Sequence, residues 1–137
     1  MQKLLLLFII IVSIGCSKTE VETVNEVIDT NNAKILYTGQ FMNGSSYSTK
    51  GTLTITQSSD GKRMVNMMNL MSDNGPDLRL YLAENKEALN FKEIDPKFKN
   101  GTYSIEIPND IDFAKHKFIL VWCKRFSALF GSAELSK

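Results

Sequence analysis

Residues 117–123 read KFILVWC, and this run decides the fold. After Lys117 it is apolar to its end, on both alternating faces. A run this short with no polar face reads as a strand in the middle of a sheet, covered on both sides. Ile119, Val121 and Cys123 share one face, and Phe118, Leu120 and Trp122 the other. Downstream, ALFGSAEL at 128–135 supplies a last strand. Upstream, a period-two pattern broken by turn residues extends back to Lys34. Its strands are KILYTGQFM (34–42), KGTLTITQ (50–57), KRMVNMMNLM (62–71), DLRLYLA (77–83) and TYSIEI (102–107). Alternation in 77–83 points Leu78, Leu80 and Leu82 inward, with Arg79 and Tyr81 opposite. In 62–71 it sets Met64, Met68 and Leu70 against Val65, Met67 and Met71. Asp60-Gly61, the run Asp73-Asn74-Gly75-Pro76 and Asn100-Gly101 mark the reversals. The stretch 84–100 is the least regular, with Leu89, Phe91 and Ile94 in strand or loose turn. Nothing after residue 33 is a helix long enough for a parallel crossover. The expected fold class is therefore all-β: a compact antiparallel β-sandwich or small barrel of about seven to eight strands.

The chain has 137 residues, with 16 Lys and Arg against 15 Asp and Glu, for a net charge of +1. That is one domain with a short appendage. Apolar residues at 43% can build a core, which argues against a wholly disordered chain. The balanced charge offers no concentrated basic surface, so no nucleic-acid partner is expected.

The appendage begins MQKLLLLFIIIVSIGC. A lysine, a short apolar run and a small-residue exit make a secretory signal. The apolar run rises only about 16 Å as a helix, against about 30 Å of hydrocarbon, too short to span. Ile14, Gly15 and Cys16 resemble the lipobox of bacterial lipoproteins, with Ser13 where leucine is usual. That resemblance implies a signal peptide over 1–15 and a lipidated Cys16. It implies a protein anchored in the bacterial cell envelope, at the outer membrane on its periplasmic or surface face. Residues 16–33 then form the lipidated cysteine and a polar tether, with a short helix or first strand packed on the domain as the alternative. The β domain occupies 34–137.

Cys123 is the free thiol of the mature chain. Lys124 and Arg125 beside it would favour the thiolate, and burial would oppose it. The residue is thus a redox thiol or a small buried hydrophobe. His116 lies seven residues away, about 23 Å along a strand, and reads as a surface or strand-start histidine. One cysteine and one histidine are not a zinc set. Asp73, Asn74 and Asp77 offer hard oxygens, which an Asx-type turn would also use. The methionines of 64–71 point to both faces and read as core filler. No haem-attachment motif and no catalytic constellation is visible, so no cofactor or metal is expected.

GPDLRLYLA at 75–83, NGTYSIEIP at 100–108 and FILVWCKRFSALFGSAEL at 118–135 resemble the DM-thirteen domain, the electron-transfer DM domain found beside DOMON domains in animals and alone in bacterial secreted proteins. The resemblance spans about 34–136. Its most specific part is Trp122-Cys123-Lys124, followed by Phe126, Phe130-Gly131 and Ala133. It implies a compact β structure and a cysteine, matched by Cys123, that does redox work as a bare thiol or as ligand to a prosthetic group. Many members carry a histidine before the glycine of the second strand; this chain has Tyr47 and Ser48 ahead of Gly51. Residues and resemblance together lead to a lipid-anchored envelope module for binding or interaction, with Trp122 filling the core. The alternative is a redox or electron-transfer module using Cys123, with a haem or other group on that cysteine as a further variant. The expected partners are the membrane, through Cys16, and an envelope protein or redox partner.

Overall fold

The computed structural model describes residues 20–137, so the signal peptide and Cys16 lie outside the described residues. Nine strands follow in chain order: β1 (Thr23–Asn25), β2 (Lys34–Asn43), β3 (Thr49–Gln57), β4 (Arg63–Ser72), β5 (Leu78–Ala83), β6 (Lys92–Asp95), β7 (Asn100–Ile107), β8 (Phe118–Cys123) and β9 (Ala128–Glu134). They form one sheet in the order β1-β7-β4-β3-β2-β9-β8-β5-β6. Every neighbouring pair is antiparallel except β1 with β7. β2 turns the sheet over on itself. Its first part pairs with β3 and its last residues, Phe41 to Asn43, pair with β9. The result is a curled, open half-barrel. It matches the expected all-β class and corrects the expected seven or eight strands.

The two added strands come from segments with weak patterns. β6 forms within 84–100 and hydrogen-bonds to β5. β1 forms within the stretch read as tether, and so realises its alternative. Asn100 N–H donates to the Glu22 carbonyl at 2.8 Å, and Glu26 N–H to the Thr102 carbonyl at 2.7 Å. Gly101 makes this pairing feasible. Its φ is +110°, and a Cβ there would overlap the Val24 carbonyl.

The concave face buries Leu53, Ile55, Val65, Met67, Leu80, Leu82, Ile119, Val121 and Phe130. Full burial of each such side chain contributes roughly 1.5–3 kcal/mol. The alternation in β4 breaks at a register shift between Met67 and Leu70, where Asn69 takes φ 51°. Leu70 therefore joins Val65 and Met67 inside, while Met68 and Met71 are exposed. The expected grouping of the methionines is corrected by that bulge. β8 lies between β5 and β9, as its apolar run requires. Its outer face is covered too: Leu120 packs with Tyr81 and Ala83, flanked by Phe118, Trp122 and Leu129. The turn after β5 closes over them, stacking Phe91 on Tyr81 at 4.1 Å between ring centroids.

Candidate functional site

Cys123 ends β8, opposite Leu78 of β5 and Ala128 of β9. Its parity turns the side chain to the concave face, where it is fully buried in the core that holds Leu78 and Phe130. Two connections that are distant in sequence close this end of the core. Tyr47, between β2 and β3, stacks on Phe130 at 3.6 Å. Gly75, between β4 and β5, lies so close that a Cβ would stand 2.7 Å from Leu78 Cδ2 and 3.0 Å from Phe130 Cζ. The Asp73–Asp77 loop is fastened at several points. Asp73 N–H donates to the Ser48 carbonyl at 3.0 Å, and its carboxylate accepts from Ser48 N–H at 2.8 Å. Asn74 Oδ1 accepts from Val21 N–H at 3.2 Å. Arg79 donates to Asp77 and Glu93, at 2.8 Å each, and holds the Asp77 carboxyl below its usual range.

The sequence turns sharply after Cys123. Lys124 N–H donates to the Asp77 carbonyl at 2.9 Å, and Ser127 takes φ 49° to start β9. Lys124, Arg125, Phe126 and Ser127 are all exposed. A cleft of about 400 Å³ lies between this turn and the loop, lined by Asn74, Gly75, Pro76, Arg125 and Phe126. A second, of about 330 Å³, runs along the other side of Gly75 and Pro76 and includes Val21, Leu78 and Phe98. Cys123 lines neither. The thiol is packed by side chains, and a haem or comparable group does not fit beside its sulfur in this arrangement.

The other sequence candidates do not converge on Cys123. His116 precedes the opposite end of β8. It is buried rather than on the surface: Nδ1 lies 3.2 Å from the Asp112 carbonyl and Nε2 3.0 Å from the Asn90 carbonyl. The ring thereby ties two connections together at that end. Asp73, Asn74 and Asp77 spend their oxygens on three different partners. No group of three His, Cys, Asp or Glu side chains poised for a metal lies among the described residues. Trp122 is half-buried on the convex side, 6.3 Å from Tyr81 between centroids, and does not fill the main core.

One buried polar cluster escaped the sequence reading. Tyr103 of β7 is buried with its hydroxyl unpartnered, and so is Oδ2 of Asp95 at the end of β6. Lys99 Nζ stands 4.0 Å from that oxygen and 5.1 Å from the Tyr103 ring centroid. Burial raises the pKa of both Asp95 and Tyr103. Asp95 falls in the irregular stretch, so no periodicity announced its burial.

The sequence profile of a family described as Electron transfer DM13 matches residues 40–135, from within β2 to the residue after β9. No curated protein and no solved structure matches the chain.

Proposed function

The chain belongs to the electron transfer DM13 family, and from that premise we propose that it is an electron-transfer module of a bacterial cell envelope with Cys123 as its redox-active residue. The family match carries this reading, because residues 40–135 take in β8 and nearly all of the sheet around the thiol. It supports electron transfer over the binding-module reading expected first. Geometry narrows the chemistry. Thiol–disulfide exchange requires direct attack by an accessible thiolate on a disulfide sulfur. A fully buried Cys123 offers no such approach. Electron exchange with a separate one-electron carrier at the surface needs no covalent contact and is compatible with burial: the carrier takes one electron, the thiol proton passes to water, and the reverse transfer restores the thiol from the thiyl radical left on Cys123. The lipobox-like Ile14-Gly15-Cys16 supports a lipid anchor at Cys16, which would hold the module at the membrane.

Protein-film voltammetry of the full chain tests the assignment, with Cys123→Ser and Cys123→Ala measured beside it. The expected result is a redox signal in the parent chain that is lost in both variants, while circular dichroism shows all three folded. A parent chain with no signal, or a signal that survives in both variants, overturns the role of Cys123.

A further inference from the structure

The Lys124–Ser127 turn stands beside the place where the chain leaves the domain toward its N-terminus. Gly75 and Pro76 form the divide between them. On one side the cleft is lined by Glu20, Val21 and Glu22, and on the other by Arg125 and Phe126. Asn74 is bonded to Val21 N–H and also lines the cleft beneath Phe126. Val21 is five steps along the chain from Cys16, which is at most about 18 Å when extended. A lipid on Cys16 therefore holds this end of the domain, and not the other, against the membrane.

The tip has the chemistry of a membrane contact. Phe126 is 56% exposed, an aromatic ring at the apex of a tight turn. Lys124 and Arg125 flank it, exposed and without an ion pair among the described residues. Asp77, the acid that feels both cations, is already bonded to Arg79. Glu20 and Glu22 lie across Pro76, on the cleft that Lys97 also lines. Cations beside an exposed apolar ring suit anionic lipid, whose surface potential reaches about 8 Å into physiological saline. We infer that the Lys124–Ser127 turn is a membrane-contact tip, seating Phe126 among anionic phospholipid headgroups and orienting the Cys123 end of the sheet toward the bilayer. This rests on the anchor reading of Cys16, and is independent of whether Cys123 is redox-active.

The test is photo-crosslinking of the full acylated chain in vesicles of phosphatidylcholine and phosphatidylglycerol. p-Benzoylphenylalanine replaces Phe126 in one sample and Leu89 in another; Leu89 is exposed in the turn at the opposite end of β5. Lipid adducts at 126 are expected to exceed those at 89 by roughly fivefold or more, and to fall at least by half in the double variant Lys124→Glu, Arg125→Glu. Equal adduct yields on a chain whose Cys16 is acylated by mass spectrometry overturn the tip and leave the anchor standing. A Cys16 that carries no acyl chain removes the anchor and the orientation together. Adducts at 126 with a protein instead of lipid, when the experiment is repeated in cell envelopes, overturn it in favour of a protein-docking face.

Discussion

Asp95 keeps one carboxylate oxygen on the Lys97 N–H at 2.9 Å, while the other is buried without a hydrogen-bond donor. Desolvation outweighs the Lys97 and Lys99 contributions and raises its pKa above the ordinary carboxylate value. The folded chain then holds the Asp95 proton more tightly than the unfolded chain does. Asp95 favours folding most below the unfolded pKa, and that contribution is lost as pH rises through the raised folded pKa. Asp95→Asn preserves the acceptor for Lys97 and removes the buried charge. It is expected to raise the denaturant midpoint at neutral pH, with the gain shrinking as pH falls through the raised folded pKa and gone below the ordinary carboxylate value of about 4. A variant less stable than the parent at neutral pH would show that the Lys99 pairing, not desolvation, governs this site. Trp122 and Cys123 mark the limit of legibility at this scale. Parity in KFILVWC places them on opposite faces, but it does not say which face is the main core. The structure gives the core to the small thiol and leaves the indole half-exposed beside Tyr81.

At the level of strands, the apolar pattern revealed every strand of six residues or more, β2 to β5 and β7 to β9. It failed where the physical cause was not alternation. In β4, Asn69 in a left-handed conformation inserts an extra residue, so Leu70 returns to the face of Met67. Alternation points Tyr81 outward from β5, and it does face outward; the turn carrying Phe91 nevertheless buries it. β6 and β1 are four and three residues long; they pair with β5 and β7 and each sets one apolar side chain on the core, Ile94 and Val24, too few to show a period. β1 gives a direct test. Gly101→Ala puts a Cβ into the Val24 carbonyl at a φ that disfavours alanine. It is expected to cost about 1–3 kcal/mol and to release β1 from the sheet. Denaturant titration reads the first effect. Hydrogen exchange at Glu26, whose amide donates to Thr102, reads the second. Unchanged protection there would mean that β1 pairs without needing a glycine.

Across the whole molecule, the sheet brings together connections that the sequence keeps far apart. Tyr47, Gly75 and the turn after Cys123 are separated by tens of residues, and they meet only because β2 carries the sheet from β3 round to β9. The central position of β8 and its two covered faces were readable in its composition; the closing of the end over Cys123 was not. That closure separates electron exchange through packed protein from chemistry at an open thiol. Alkylation of Cys123 under native conditions, followed by peptide mass spectrometry across a denaturant series, tests it most directly. Labelling is expected to be slow in buffer and to rise in step with global unfolding, as for a thiol exposed only when the sheet opens. Labelling in buffer as fast as that of the unfolded chain would contradict the closure and put an accessible thiol at the end of β8.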